Sequence, residues 1–171
     1  MPRLTGNLAD VDDDQVPVGA GDLLPLVGRW VGEGTGFLAG RRPFYYREEA
    51  TFVPTRRPFL TYRQQTWSAA DGAPLHGEVG YLRATDRGVE LVVAQATGIA
   101  ETHVGTWSKD ALLLRPAGLL VTPTASPVRV VERSFSLEEG GSVLRVAVRL
   151  GLGDQPVVDH LAAVLRRDPV A

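Results

Sequence analysis

The sequence predicts an all-β protein, a single antiparallel β-barrel of about ten strands with a short C-terminal helix. Three observations carry that expectation. Apolar and polar residues alternate through many segments of strand length. Turn signals separate these segments: Pro54-Thr55-Arg56-Arg57-Pro58, Asp71-Gly72, Asp86-Arg87-Gly88, Lys109-Asp110 and Glu139-Gly140-Gly141. The run from Gly28 to Gly36 places Gly28, Trp30, Gly32, Gly34 and Gly36 at every second position, a period that belongs to a strand.

Along the chain, residues 1–20 mix Gly, Asp and Pro without periodicity and read as a mobile leader, so the barrel domain is expected over 21–171. The glycine strand comes first. A strand bare of side chains on one face lets another backbone or a flat ligand come close, and the Trp30 ring opens that bare stripe. Further strands are expected over Tyr45–Val53, Leu60–Trp67, Leu75–Ala84, Val89–Ala94, Ile99–Trp107, Ala111–Pro116, Val128–Leu137 and Ser142–Leu150. The last of these has the clearest register: Leu144, Val146, Val148 and Leu150 face inward, and Arg145 and Arg149 face water. Beyond it, Asp154-Gln155-Pro156 reads as a helix start with Asp154 as N-cap. His160, Leu161, Val164 and Leu165 then fall at helical spacing, which turns His160 toward the barrel mouth.

Composition narrows the chemistry. The 171 residues fit one domain, with 44% hydrophobic and 22% charged residues. A net charge of −2 without a basic block argues against a nucleic-acid partner. The chain has no cysteine, which removes disulfides, thiolate ligation and cysteine nucleophiles together. No signal-peptide pattern and no membrane-length apolar run is present, so no membrane association and a cytoplasmic location are the default expectations. Monomer and homodimer stay equally open.

Few side chains are equipped for catalysis. No G-x-S-x-G elbow and no phosphate-binding loop occurs. The adjacent pairs Glu48-Glu49 and Glu138-Glu139 read as solvated charge, because neighbours on a strand point to opposite faces. Of the three histidines, His160 has an apolar setting and His76 shares a strand face with Glu78, Gly80 and Leu82. His103 follows Glu101 at i+2 and reads as an exposed or cross-strand polar pair. A zinc site made from His76, His103 and His160 lacks supporting spacing.

Five blocks in fixed order give the sequence a specific likeness. They are the glycine strand; Tyr62-x-Gln64-Gln65-Thr66-Trp67; Gly72-x-Pro74-Leu75-His76-x-Glu78-x-Gly80-Tyr81-x-Arg83; Ala94-Gln95-x-Thr97-Gly98-x-x-Glu101; and His160-Leu161-x-Ala163-x-Leu165. Together, from about Leu23 to Arg166, they resemble the nitrobindin family of small, lipocalin-like haem b barrels. The resemblance implies a ferric haem b cofactor with His160 as its axial ligand. It places His76, Leu75, Gln95, Leu150 and Gly40 at positions that line the cofactor cavity, with His76 on the distal side. It also implies binding of nitric oxide and isomerisation of peroxynitrite to nitrate. Leu75 and His76 have opposite strand parity, so both can face one cavity only near a strand end or bend. Two positions depart from the family pattern. Ala39-Gly40 stands where relatives carry Pro-Thr, and Pro127 stands where they carry a basic residue. Arg41, Arg42 and Arg129 are the candidate replacements for that cation. A non-catalytic carrier or sensor of an apolar ligand, and a barrel that has lost its cofactor, are the alternatives.

Overall fold

The computed structural model describes residues 21–38, 40–108 and 110–169; the leader expected over 1–20 lies outside them. Ten strands follow in order: β1 Gly28–Gly36, β2 Phe44–Pro54, β3 Phe59–Ser68, β4 Pro74–Thr85, β5 Gly88–Gln95, β6 Ile99–Ser108, β7 Ala111–Val121, β8 Val128–Glu138, β9 Val143–Leu152 and β10 Val158–Arg167. Each pairs antiparallel with its sequence neighbour, and β1 pairs with β10, so the sheet closes into a barrel. Closure removes the free sheet edges except where β7 and β8 part.

The expected C-terminal helix is a strand instead. Within β10, Ala163 and Leu165 are buried while Ala162, Val164 and Arg166 are exposed, a period of two. The spacing of His160, Leu161, Val164 and Leu165 fits a helix equally well, but Val164 is exposed and off the buried face. The decision comes from outside the segment: β1 and β9 each present an edge, and β10 satisfies both ladders. Asp154 sits in the turn before it, where Gln155 N–H donates to Leu152 O at 2.9 Å.

The glycine stripe serves that closure. A Cβ on Gly32 would collide with the backbone of Val164 and Leu165, and one on Gly34 or Gly36 with the rings of Tyr46 or Phe44. The bare face therefore admits the neighbouring strand and two aromatic rings, and not a flat ligand. Trp30 is fully buried, donates from Nε1 to Leu26 O at 2.8 Å, and stacks under the Arg167 guanidinium at 4.2 Å from the ring centroid.

The two barrel ends differ. At the end where β1 begins, a 3-10 turn, Gly21–Leu26, covers the opening, with Leu23 and Leu26 fully buried. Phe52, Tyr62 and Phe135 interlock there, the edge-to-face pairs having centroids 6.0 and 6.2 Å apart. The opposite end stays open. There β7 leaves β8: their ladder runs only from Ala111–Leu114 against Arg133–Ser136. Among the described residues no helix is long and apolar enough to cross a membrane.

Candidate functional site

The open end leads into a cavity of about 620 Å3. Its upper walls are apolar, formed by Ile99, Val128, Val131, Val148, Leu150 and Leu161. Four of the five expected cavity positions besides His160 line it: His76, Leu75, Gln95 and Leu150. Gly40 does not; it sits exposed in the loop between β1 and β2 with φ +72°, and a Cβ there would touch nothing. The other departure, Pro127, is exposed beside the mouth, and its carbonyl accepts from Gly153 N–H at 2.8 Å. Arg129 is engaged on the carbonyls of Gly153 and Gln155 at 3.0 and 3.1 Å. Arg41 and Arg42 are exposed and stand outside the lining.

Two strand irregularities aim the histidines. In the β9–β10 ladder, Asp159 faces Arg149 and Leu161 faces Val148, so His160 is the extra residue of a bulge. A bulge re-aims a side chain that strict alternation would send elsewhere. His160 and Leu161 are adjacent, and both reach the cavity. In the β3–β4 ladder, Thr66 faces His76 and Trp67 faces Pro74, so Leu75 is the extra residue. The bend expected at Leu75-His76 from their opposite parity is this bulge.

The protonation pattern of His160 follows from its partner. Its Nδ1 lies 2.9 Å from Phe37 O. A carbonyl only accepts, so Nδ1 carries the proton, and the lone pair of the neutral ring sits on Nε2. The reciprocal bond from Phe37 N–H to His160 O, 2.7 Å, fixes the backbone beneath the ring. Burial lowers the pKa of His160, the Phe37 carbonyl partly opposes this, and nearby His76 lowers it further. A half-buried neutral imidazole, oriented by a backbone acceptor and bordering an apolar cavity, is the donor type that haem iron takes as an axial ligand. The residues present fit that group.

Below the apolar walls lies a polar layer. Arg133 on β8 reaches across the barrel, donating from Nη1 and Nη2 to both oxygens of Glu78 at 2.7 Å each. It also donates from Nε and Nη2 to Glu101 at 3.0 and 2.7 Å. Glu78 additionally accepts from Tyr62 Oη at 2.7 Å and lies 3.2 Å from His76 Nε2. Glu101 is 2.7 Å from His103 Nε2 and accepts a short bond from Gln95 Nε2. Burial alone would raise the pKa of both carboxyls, yet both are lowered: Arg133 outweighs burial at Glu78, and His103 with Arg133 outweighs it at Glu101, which falls to about 2. Glu48 goes the other way. Burial raises it to about 7, the charge of Glu78 adds to this, and Gln64, Arg133 and Tyr46 oppose it.

This layer corrects two sequence expectations. Glu101 and His103 are both 1% exposed, not an exposed pair. Glu48 is 3% exposed and faces the cavity, while Glu49 points outward to Arg29 at 2.8 Å; Glu138 and Glu139 are exposed as expected. A signal for the layer was present in the sequence. Arg133 shares strand parity with Phe135 and Leu137, Glu78 with Leu82, Glu101 with Ile99, and Glu48 with Phe52. A charged residue on the apolar parity of a strand marks an interior position. Among the described residues no cluster of three or more metal-ligating side chains forms.

With this geometry, the likenesses to known proteins can be placed. The profile of the THAP4-like, heme-binding beta-barrel domain matches residues 20–167. The chain belongs to this family. The peroxynitrite isomerase 1 of Mycobacterium tuberculosis is 44% identical over 153 residues, covering 85% of this chain and 92% of the relative. The peroxynitrite isomerase 2 of Mycobacterium avium is 43% identical over 150 residues, covering 85% and 92%. The crystal structure of Rv2717c from M. tuberculosis matches with a TM-score of 0.82 at 42% identity, covering 90% of this chain and 99% of that one. The nitrobindin likeness drawn from the five sequence blocks is borne out by this THAP4-like membership.

Proposed function

We propose that this THAP4-like barrel binds ferric haem b in its open cavity through His160 Nε2 and isomerises peroxynitrite to nitrate. One observation carries the reading: the Nδ1 of His160 is tied to Phe37 O, so the ring offers its other nitrogen at a cavity mouth of cofactor size. The names of relatives at 44% identity supply the reaction. When bound, haem supplies a Lewis-acidic iron with one position open to peroxynitrite or nitric oxide.

The residues of the chain have distinct tasks in this reading. His160 holds the cofactor, with Phe37 O fixing the plane of its imidazole. Leu75, Leu150, Val131 and Ile99 exclude water from the reacting anion and keep its fragments together. His76 is the distal group. Glu78 is a carboxylate and only accepts, so His76 Nε2 donates to it at 3.2 Å, and Nδ1 is the ring nitrogen left for a ligand. Gln95 is held by Glu101 and by Thr97 Oγ1, 3.0 Å away, and acts as wall more than as a free donor.

The deciding experiment is spectroscopic and kinetic. Haem added to the purified chain should bind at about one equivalent with a histidine-ligated Soret band, and His160→Ala should abolish it. The loaded protein should then hasten peroxynitrite decay and raise the nitrate-to-nitrite ratio. Haem binding with only the spontaneous rate and product ratio would leave a carrier or sensor. Absence of haem binding would leave a barrel for an apolar ligand.

A further inference from the structure

In the polar layer under the cavity the two carboxylates and the guanidinium are saturated, while His103 Nδ1 behind them has no partner among the described residues. Glu78 and Glu101 each accept several hydrogen bonds, and all three guanidinium nitrogens of Arg133 donate to them. Two other buried oxygens that face the cavity have no partner, Tyr46 Oη and Gln64 Oε1. Their side chains are 1% and 5% exposed. Leaving a buried polar atom unpaired is costly, so two of them aimed into one cavity call for an occupant. Glu48 sits between them. Tyr46 precedes it by two residues on β2, and Gln64 on β3 is opposite Ala50, the next inward position. The Tyr46 hydroxyl is near enough to Glu48 to affect its charge but makes no hydrogen bond of normal length to it.

The charges around this floor limit what it can hold. Around Glu48 are Tyr46 on its own strand, Gly32 on β1, Tyr62, Gln64 and Thr66 on β3, Glu78 on β4 and Arg133 on β8; His76 lines the same cavity, and Glu101 and His103 of β6 lie behind Arg133. Three carboxyl groups thus share one guanidinium, and that cation is already engaged on two of them. A bare anion would meet uncompensated negative charge. An apolar group would leave Tyr46 Oη and Gln64 Oε1 unpaired. A small oxyanion that brings one proton meets both limits: the proton sits on Glu48, which donates to Gln64 Oε1 once that amide is rotated, and Gln64 Nε2 and Tyr46 Oη donate to the oxyanion.

We propose that Tyr46, Glu48 and Gln64 form a subsite for a small oxyacid, taken up as its anion together with one proton. The proton comes from solvent and rests on Glu48, and no bond between heavy atoms forms or breaks. The subsite uses none of the groups assigned to the haem iron and stands apart from that assignment.

Sodium formate is the probe. Titration calorimetry on the full chain, in two buffers of different ionisation enthalpy, counts the protons bound with each anion. At pH 8 the count should be near one. At pH 6, where Glu48 already holds its proton, it should fall toward zero. Glu48→Gln keeps an N–H donor, so formate should still bind, with no proton uptake at pH 8. Tyr46→Phe should weaken binding roughly threefold to tenfold and leave the proton count unchanged; unchanged affinity in this variant counts against the subsite whether or not Glu48→Gln folds. No formate binding, binding without proton uptake at pH 8, or equal uptake in Glu48→Gln overturns the proposal. So does a formate-induced Soret shift that accounts for all of the binding, since it would put the anion on the iron. Failure of peroxynitrite isomerisation, read from product ratios, would not change the proton count.

Discussion

Toward the covered end the inward positions carry Trp30, Phe52, Leu60, Leu82, Leu112 and Phe135, while toward the mouth the barrel presents Tyr46, Glu48, Gln64, Glu78, Arg133 and His160. Apart from the β7–β8 ladder, which stops short of the mouth, strand pairing runs through both halves and does not distinguish them. The side chains do. The covered half is filled by large apolar groups, each worth about 1.5–3 kcal/mol when fully buried. The open half gives up that packing for a cavity and carries its irregularities at the mouth, where bulges fall at Leu75, Arg129 and His160. Stability is concentrated at one end and in the polar layer, and recognition at the other, so substitutions should separate the two.

Four outcomes test that separation, from the largest effect on stability to the smallest. Arg133→Met strands Glu78 and Glu101 as buried carboxylates and should cost about 3–5 kcal/mol in urea unfolding. A loss below 1 kcal/mol would mean that the polar layer does not tie the strands together. Phe135→Ala in the covered half should cost about 3–4 kcal/mol through the cavity it leaves, while haem uptake by the still-folded fraction persists.

Glu48→Gln tests the floor through pH. The folded pKa of about 7 exceeds the unfolded value of 4.5, so the native state keeps a proton that the unfolded chain releases. Native stability therefore declines as pH rises from about 4.5 to about 7, by on the order of 3 kcal/mol. Glu78 and Glu101 have the opposite sign: their folded pKa values are lowered, so their contribution is present above 4.5 and lost as pH falls through the folded values. The advantage of Glu48→Gln over wild type should grow between pH 5 and pH 8, and a constant difference would show that Glu48 ionises freely in the fold.

The smallest stability change belongs to the residue with the largest functional one. His160→Ala removes the bond to Phe37 O and should cost only about 1 kcal/mol in unfolding while eliminating the haem spectrum. A multi-kilocalorie loss would show that the mouth bulge also supports the barrel.

Much of this protein was legible one strand at a time. Alternation in Ser142–Leu150 gave the inward set Leu144, Val146, Val148 and Leu150, and turn residues marked most strand boundaries. Local patterns suffice there because strand period and turn chemistry are properties of neighbouring residues. The family was legible too, from blocks spread along the chain, and with it His160, His76, Leu75, Gln95 and Leu150 as cavity positions. Tertiary structure decided the rest. Val158–Arg167 satisfies a helical spacing and a strand alternation at once, and only the two free edges of β1 and β9 select the strand. The bulge that aims His160 exists because β10 must keep register with β9 on both sides of that residue. The union of Glu78, Glu101 and Arg133 spans 55 and 32 residues of chain, and barrel closure alone brings those charges within hydrogen-bond distance. The sequence by itself determined which face of each strand is apolar. Which charges share the interior was decided only by closure, because the stability of a buried charge depends on partners that no local segment contains.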